Sequence, residues 1–336
     1  MVKILYAGNK LAVHGNSPTS IDVVGPLFEK SGYDVLYTSS VKNKGLRIMD
    51  MIFTFLFNCR KIDFVLIDTY STVNFWYAFI ISQLSRILNI KYIPILRGGD
   101  LPNKLKKSPF LCKLIFNHSY LNIAPSNYLL ESFKNQGYKN LRYIPNVLEI
   151  QNYSFKERKS FSPKLLWVRS FASIYHPKMA VEVLFQLKEK FPDAILCMIG
   201  PDKDGSLIET KKYAESLNLE VEFTGGLTKE AWIKKAENFD IFINTTHFDN
   251  TPVSVMEAMA LGLPVISTNV GGIPYLLEDK VDSLLVEDGN VTQMVQAIEY
   301  CVENSIKAQK IALNARKKVE KFDWNVVKEQ WKSILT

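Results

Sequence analysis

The sequence is poor in the residues that build covalent or metal-held frameworks. Its 336 residues include four cysteines, Cys59, Cys112, Cys197 and Cys301, far apart and in no CxxC or zinc-type spacing. A disulfide-stapled or zinc-ribbon fold is thereby excluded, and a reduced, cytosolic chain is expected. Long apolar runs are missing too. The longest, Ile52–Phe57 and Phe75–Ile81, are too short to span a bilayer. Met1 to Gly8 reads as a strand entering a glycine turn, without the apolar region and cleavage site of a signal peptide. Neither half opens with GxGxxG after its first strand, which argues against a dinucleotide-dependent dehydrogenase. There is no short-period repeat and no low-complexity tract.

What is present describes a globular protein. Hydrophobic residues make up 47% and charged residues 22% of the chain, a composition that folds. The length exceeds what one core usually serves, so two domains of about 150 residues are expected. The net charge of +7 is unevenly shared, +11 through Ser160 and −4 beyond it. A basic first half suits an anionic partner such as a membrane face or a phosphorylated acceptor, and nothing in it suggests nucleic acid. Much of the charge lies in Lys104, Lys106, Lys107 and Lys113, which read equally well as a solvated loop.

Short apolar, β-rich runs alternate with longer helical stretches throughout, the signature of parallel sheets built from βαβ crossovers. In the first half the strands fall at Lys3–Tyr6, Asp34–Tyr37, Asp63–Ile67, Lys91–Ile95, Leu121–Ala124 and Arg142–Ile144. The rhythm breaks at Asn146–Pro163 and restarts with Lys164–Val168. The expected organisation is an α/β chain of two doubly wound, Rossmann-like parallel-sheet domains. The first covers residues 1–150 and the second 163–318, with a linker at 151–162. A helical tail, 319–336, carries aromatics able to pack back on the first domain. Ligand is expected at the strands' carboxyl ends, in a cleft between the domains.

The informative segment runs from His247 to Gly262, after the apolar strand Ile241–Asn244. Thr251 suits a helix N-cap and Pro252 a first helical position, so free N–H groups and a positive dipole end should face the loop. From Asn250 to Leu277 the only charged residue is Glu257. A carboxylate in so apolar a stretch needs donors. Ribose hydroxyls supply two side by side; neighbouring backbone groups are the structural alternative.

Asp249 precedes Glu257 by eight positions, and Glu257-Ala-Met-Ala-Leu-Gly-Leu-Pro-Val-Ile follows. This run resembles the EX7E motif of family 4 retaining glycosyltransferases, with Asp in place of the first Glu. Thr268-Asn269-Val270-Gly271-Gly272-Ile273-Pro274 is similar to the Gly-Gly turn of that family. The resemblance implies a GT-B fold, in which two Rossmann-like domains face each other across a cleft. It also implies roles. Glu257 would hold the donor ribose. Asp249, with backbone groups of Asn250 and Thr251, would bind hydroxyls of the donor sugar. Pro252 and Ser254 would line the same helix start. Arg169 would grip the diphosphate, with Lys178 as its companion at a longer spacing than the family's. Gly200, Gly226 and Leu227 match turns lining the nucleotide pocket. In the first domain Arg97, Gly98 and Gly99 would face the cleft, with Arg97 where the family often carries a His. His14 and Gly15, in the loop Lys10–Ser17, could touch acceptor or phosphate. Tyr275 stands where many relatives carry a Glu.

A nucleotide-sugar donor, a glycan or lipid-linked acceptor, and neither cofactor nor metal are what the resemblance implies. Asp202-Lys203-Asp204 spells DxD but falls in a loop after Gly200. Two other readings stay open. One is a nucleotide-sugar 2-epimerase of the same architecture. The other is a non-catalytic protein resting on the inner membrane face, whose amphipathic Leu46–Phe57 could lie on anionic lipid or simply pack on the sheet.

Overall fold

The structure is a computed structural model that describes residues 1–15 and 18–336. Asn16 and Ser17, part of the loop expected after the first strand, lie outside the described residues. The chain divides into two units, Met1–Val147 with Trp324–Thr336, and Leu148–Asp323.

In the first unit β1 (Lys3–Ala7), α1 (Ser20–Lys30), β2 (Asp34–Thr38), α2 (Lys44–Asn58), β3 (Phe64–Thr69), α3 (Phe75–Ile87) and β4 (Lys91–Leu96) alternate along the chain. Next come α4 (Leu101–Lys107), α5 (Pro109–Phe116), β5 (Asn122–Ala124), α6 (Asn127–Asn135) and β6 (Leu141–Tyr143). The strands pair in the order β2-β1-β3-β4-β5-β6, all parallel. Side chains of a strand point alternately to its two faces. Ile4 and Tyr6 accordingly join Phe64, Leu66, Ile93 and Ile95 in one core, while Leu5 and Ala7 join Val65 and Ile67 in another. Burial on both faces is why these strands read as unbroken apolar runs.

The lysine run is helical rather than a loop. Pro102 and Pro109 start α4 and α5, where a missing N–H costs nothing. Leu101, Leu105, Cys112, Ile115 and Phe116 are buried, and Lys106, Lys107 and Lys113 point to solvent. The helix α2 also has two sides. Arg47, Met51 and Phe55 are buried, whereas Leu46, Met49, Phe53, Leu56 and Phe57 are exposed, Phe57 to 84%.

The second unit contains β7 (Lys164–Val168), α7 (Pro177–Lys190), β8 (Ile195–Ile199), α8 (Ser206–Ser216), β9 (Glu222–Gly225), α9 (Lys229–Ala236) and β10 (Ile241–Asn244). It continues through α10 (Val253–Ala260), β11 (Val265–Thr268), α11 (Ile273–Leu276), β12 (Leu284–Val286), α12 (Val291–Glu303) and α13 (Ser305–Glu320). Its six parallel strands run β12-β11-β10-β7-β8-β9. Leu165 and Trp167 face one core and Leu166 the other. Residues 151–162 belong to this unit and are packed. Tyr153, Arg158 and Phe161 are buried, and Arg158 donates to the carbonyls of Ala236, Phe239, Leu261 and Gly262. A cation held by these carbonyls and by the Asp240 carboxylate, 3.5 Å from its Nε, explains why so polar a stretch is held fast.

The last helix, α14 (Trp324–Lys332), is part of the first unit, where Trp324, Val327 and Trp331 join the core beside β1. Phe28 meets Trp324 and Trp331 edge-on, with ring centroids 5.5 and 5.2 Å apart.

Candidate active site

In the second unit the strand order reverses between β7 and β10. Open α/β sheets bind ligands at such a switch point, beyond the carboxyl ends of the two strands. Arg169 follows β7, and the loop holding Asp249 follows β10. The two side chains meet there, the Nη2 of Arg169 paired with the Oδ2 of Asp249. The guanidinium also lies over the Tyr175 ring, 4.4 Å from its centroid. Its Nε is buried and has no partner among the described residues.

The Gly-Gly turn supports this pair from behind. Gly272 donates its N–H to the Asp249 carbonyl at 2.7 Å. A β-carbon on Gly272 would stand 2.0 Å from the Asn250 carbonyl oxygen, and one on Gly271 2.4 Å from that of Asp249. The two motifs singled out in the sequence are therefore one contact, and glycine is required because backbone touches backbone.

The start of α10 differs from the expectation. Pro252, with φ −69° and ψ 118°, is still extended and occupies the N-cap position, so helix begins at Val253 and no side chain, Thr251 included, caps it. Its first-turn N–H groups keep their capacity for an anion. The Ser254 hydroxyl, in that turn, is buried without a hydrogen-bond partner among the described residues.

Glu257 lies one turn further along α10 and is 5% exposed. Its Oε1 accepts the Tyr153 hydroxyl at 2.7 Å and lies 2.6 Å from the Lys229 ammonium. Burial, and then the Glu257 charge, push the Tyr153 hydroxyl's pKa well up, so it stays a donor. Neither bond uses Oε2. Tyr153 and Lys229 are the partners of Glu257 that sequence reading missed. The available signal was position: Lys229 opens the helix that follows the Gly225-Gly226-Leu227 turn, one residue beyond the Thr228 cap.

The remaining expected residues are placed as follows. Gly200 is fixed by packing, since a β-carbon there would lie 1.8 Å from the Arg169 carbonyl oxygen, and its N–H donates to Gly225 at 2.8 Å. Gly226 has ordinary clearance and Leu227 is 37% exposed. Lys178, in the first turn of α7, pairs with Glu209 on α8 at 2.9 Å, while the partners of Arg169 are Asp249 and Tyr175. Asp202 and Asp204 serve as loop ties. Asp202 accepts the N–H groups of Gly205 and Leu207, and Asp204 accepts the hydroxyls of Ser173 and Ser206.

In the first unit, Arg97 is buried beside Asp68, Nε to Oδ1 at 3.0 Å, and donates from Nη1 to Asn146 at 2.7 Å. Burial raises the pKa of Asp68, while Arg97 pulls it back. Burial alone would lower that of Arg97, but Asp68 and its neighbouring tyrosines hold it above the usual value. Gly98, with φ +85°, turns the chain after it, and Gly99 follows. His14 is exposed, its Nε2 2.7 Å from the Ser40 carbonyl, and Gly15 takes φ +79°. One group among the described residues has ligand atoms close enough for a metal, namely His176, His247 and Asp288. No helix among them is long and apolar enough to cross a membrane.

Residues 149–318, half of the chain, match the family model for glycosyl transferases group 1. An uncharacterized glycosyltransferase of Haemophilus influenzae is 27% identical over 152 residues, 44% of this chain and 42% of that protein. Sulfoquinovosyl transferase SQD2 of Arabidopsis thaliana is 27% identical over 150 residues, 43% of this chain and 28% of that protein. The matched stretch thus spans less than half of these relatives. Among solved structures, Anabaena Alr3699/HepE in complex with UDP-glucose superposes with a TM-score of 0.79 at 18% identity, covering 100% of this chain and 99% of that one. Sucrose-phosphate synthase from Thermosynechococcus elongatus gives 0.82 at 14% identity over 99% and 98%. These likenesses show the fold, which is GT-B. Arg169, Asp249 and Glu257 all fall inside the matched span, and the chain belongs to the glycosyl transferases group 1 family.

Proposed function

We propose that this chain is a retaining, metal-independent glycosyltransferase that moves a sugar from a nucleotide-diphosphate sugar to a hydroxyl acceptor, in cell-surface glycan or glycolipid synthesis. The observation that carries this reading is the meeting of Arg169 and Asp249 at the β7–β10 switch point, with Glu257 buried one turn beyond. In this mechanism the bond from the sugar's anomeric carbon to the diphosphate breaks. The acceptor hydroxyl bonds to the same face of that carbon, and its proton passes to the departing phosphate oxygen. Arg169 and the uncapped start of α10 stabilise the charge that develops on the diphosphate. Asp249, with backbone groups of Asn250 and Thr251, positions the sugar, and Glu257 holds the ribose through its hydroxyls.

The UDP-glucose bound by the Anabaena protein makes UDP-sugars the first donors to test, in a thermal-shift screen beside GDP- and ADP-sugars. The decisive variant is Glu257→Gln. Transfer should fall at least about 100-fold while the circular dichroism spectrum persists, and a variant keeping most of its activity would overturn the assignment. Incubation with donor and no acceptor, followed by sugar analysis, should yield no epimer; an epimeric sugar would replace this reading with an epimerase. The exposed apolar side of α2, flanked by exposed Lys42, Lys44, Arg60 and Lys61, supports peripheral contact with an anionic membrane carrying a lipid-linked acceptor.

A further inference from the structure

Four histidines occur in the whole sequence, and two of them touch. The rings of His176 and His247 stack with centroids 4.2 Å apart and planes 22° from parallel. His247 Nδ1 lies 2.8 Å from Asp288 Oδ1. One ligand atom from each of His176, His247 and Asp288 falls within 4.8 Å of the others. The three residues come from separate loops at the carboxyl end of the second sheet, after β7, β10 and β12 respectively. Among the described residues the hydrogen bonds and ion pairs of these three side chains do not include Arg169, Asp249 or Glu257.

Two features set this group apart from a chance surface cluster. The His176 Nδ1 is buried and has no hydrogen-bond partner among the described residues, a state that buried polar atoms seldom keep. His176 is also held in the left-handed region, at φ 46° and ψ 55°, which few side-chain-bearing residues adopt. His176 is the residue at which the chain turns into α7, and its ring stacks on that of His247.

We propose that His176, His247 and Asp288 form a binding site for a borderline divalent transition metal, Zn2+ foremost, which fastens three loops of the second unit together. Two imidazoles and a carboxylate suit zinc, whereas Mg2+ and Ca2+ take oxygen ligands. A tetrahedral site with bonds of about 2.0 Å sets its ligand atoms about 3.3 Å apart. Closing on one ion therefore asks for movements of about an ångström and for one ring to turn out of the stack, since the lone pairs of near-parallel rings do not converge. These fall to the side chains of His247 and Asp288, each 42% exposed, which also leaves a path from solvent. Water completes the coordination.

The ion extends a stitch already present. The His247 N–H and the Thr246 hydroxyl donate to the Ile174 carbonyl at 2.8 and 3.2 Å, and the Thr245 hydroxyl to that of Tyr175 at 2.9 Å. These bonds join the loops after β7 and β10, and the metal brings in the loop after β12. Because the Tyr175 ring lies under Arg169, the ion positions the arginine from behind without touching the transfer chemistry. The site does not depend on the reaction proposed above.

The test uses the full chain, stripped by a chelator and titrated with zinc chloride in a calorimeter, with thermal melts alongside. One Zn2+ per chain should bind and raise the Tm, and magnesium chloride should do neither. His247→Ala and Asp288→Asn change exposed side chains and should keep the circular dichroism spectrum while losing both responses. Cobalt should give the visible absorption of a tetrahedral site in the wild type alone. Failure of zinc to bind, binding that survives both substitutions, or an equal response to magnesium would each overturn the site.

Discussion

Gly272 has an asparagine carbonyl where its β-carbon would stand, 2.0 Å away. Both atoms belong to backbone that is itself fixed, so neither can swing aside as a side chain tip could. Gly272→Ala should therefore cost about 1–3 kcal/mol and push the Asp249 loop out of place, visible as a lower Tm together with a raised donor KM. An unchanged Tm and KM would mean that the turn yields and that the close approach has no bearing on the site. At this scale the sequence singled out Glu257 as the lone charge in a long apolar stretch, and the structure buries it. The sequence did not show what Glu257 touches. Tyr153 reaches Glu257 across 104 positions, and Lys229 comes from a different helix. His176 and His247 meet only because β7 and β10 are neighbours in the sheet. Such partners follow from topology and leave no local pattern.

The loop between β8 and α8 shows what a motif spelling is worth without its context. Asp202 and Asp204 stand two apart like metal-binding acids, but they hold the start of α8 and the Ser173 loop. Hydrogen bonds from Ser173 and then Ser206 keep the Asp204 carboxyl well below the usual carboxylate range. A depressed folded value contributes stability that is present above the unfolded value, about pH 4, and is lost as pH falls through the folded one. Melts recorded from about pH 6 to about pH 2 should show a shallower acid loss in Asp204→Asn than in the wild type. Superimposable slopes would remove Asp204 from the account. Strand and helix alternation was legible from Lys3 to Val286, because two-sided burial writes itself as apolar runs. The helices α4 and α5 were masked by their lysines, and the start of α10 moved by a residue because Pro252 takes an extended ψ.

Across the whole molecule the charge divides with the units, basic in the first and acidic in the second. Exposed Leu46, Met49, Phe53, Leu56 and Phe57 recur along one side of α2 at the three- and four-residue spacing of a helix face. Flotation with vesicles containing phosphatidylglycerol should recover the wild type and lose it several-fold in Phe53→Ser/Phe57→Ser, or in the wild type at high salt. Equal recovery with purely zwitterionic vesicles would discard the anionic membrane as a partner. The C-terminal helix carries a consequence for synthesis. Trp324, Val327, Trp331, Ile334 and Leu335 complete a core begun by Ile4 and Tyr6, whereas the second unit is one continuous stretch whose ends are tied, Leu148 N–H to the Phe322 carbonyl at 3.0 Å. On the ribosome the first half to emerge is the last to finish. It waits with an open seam for Trp324–Thr336 while the later-made unit closes on its own. Truncation before Trp324 would therefore strike the half of the protein farthest from it in the gene.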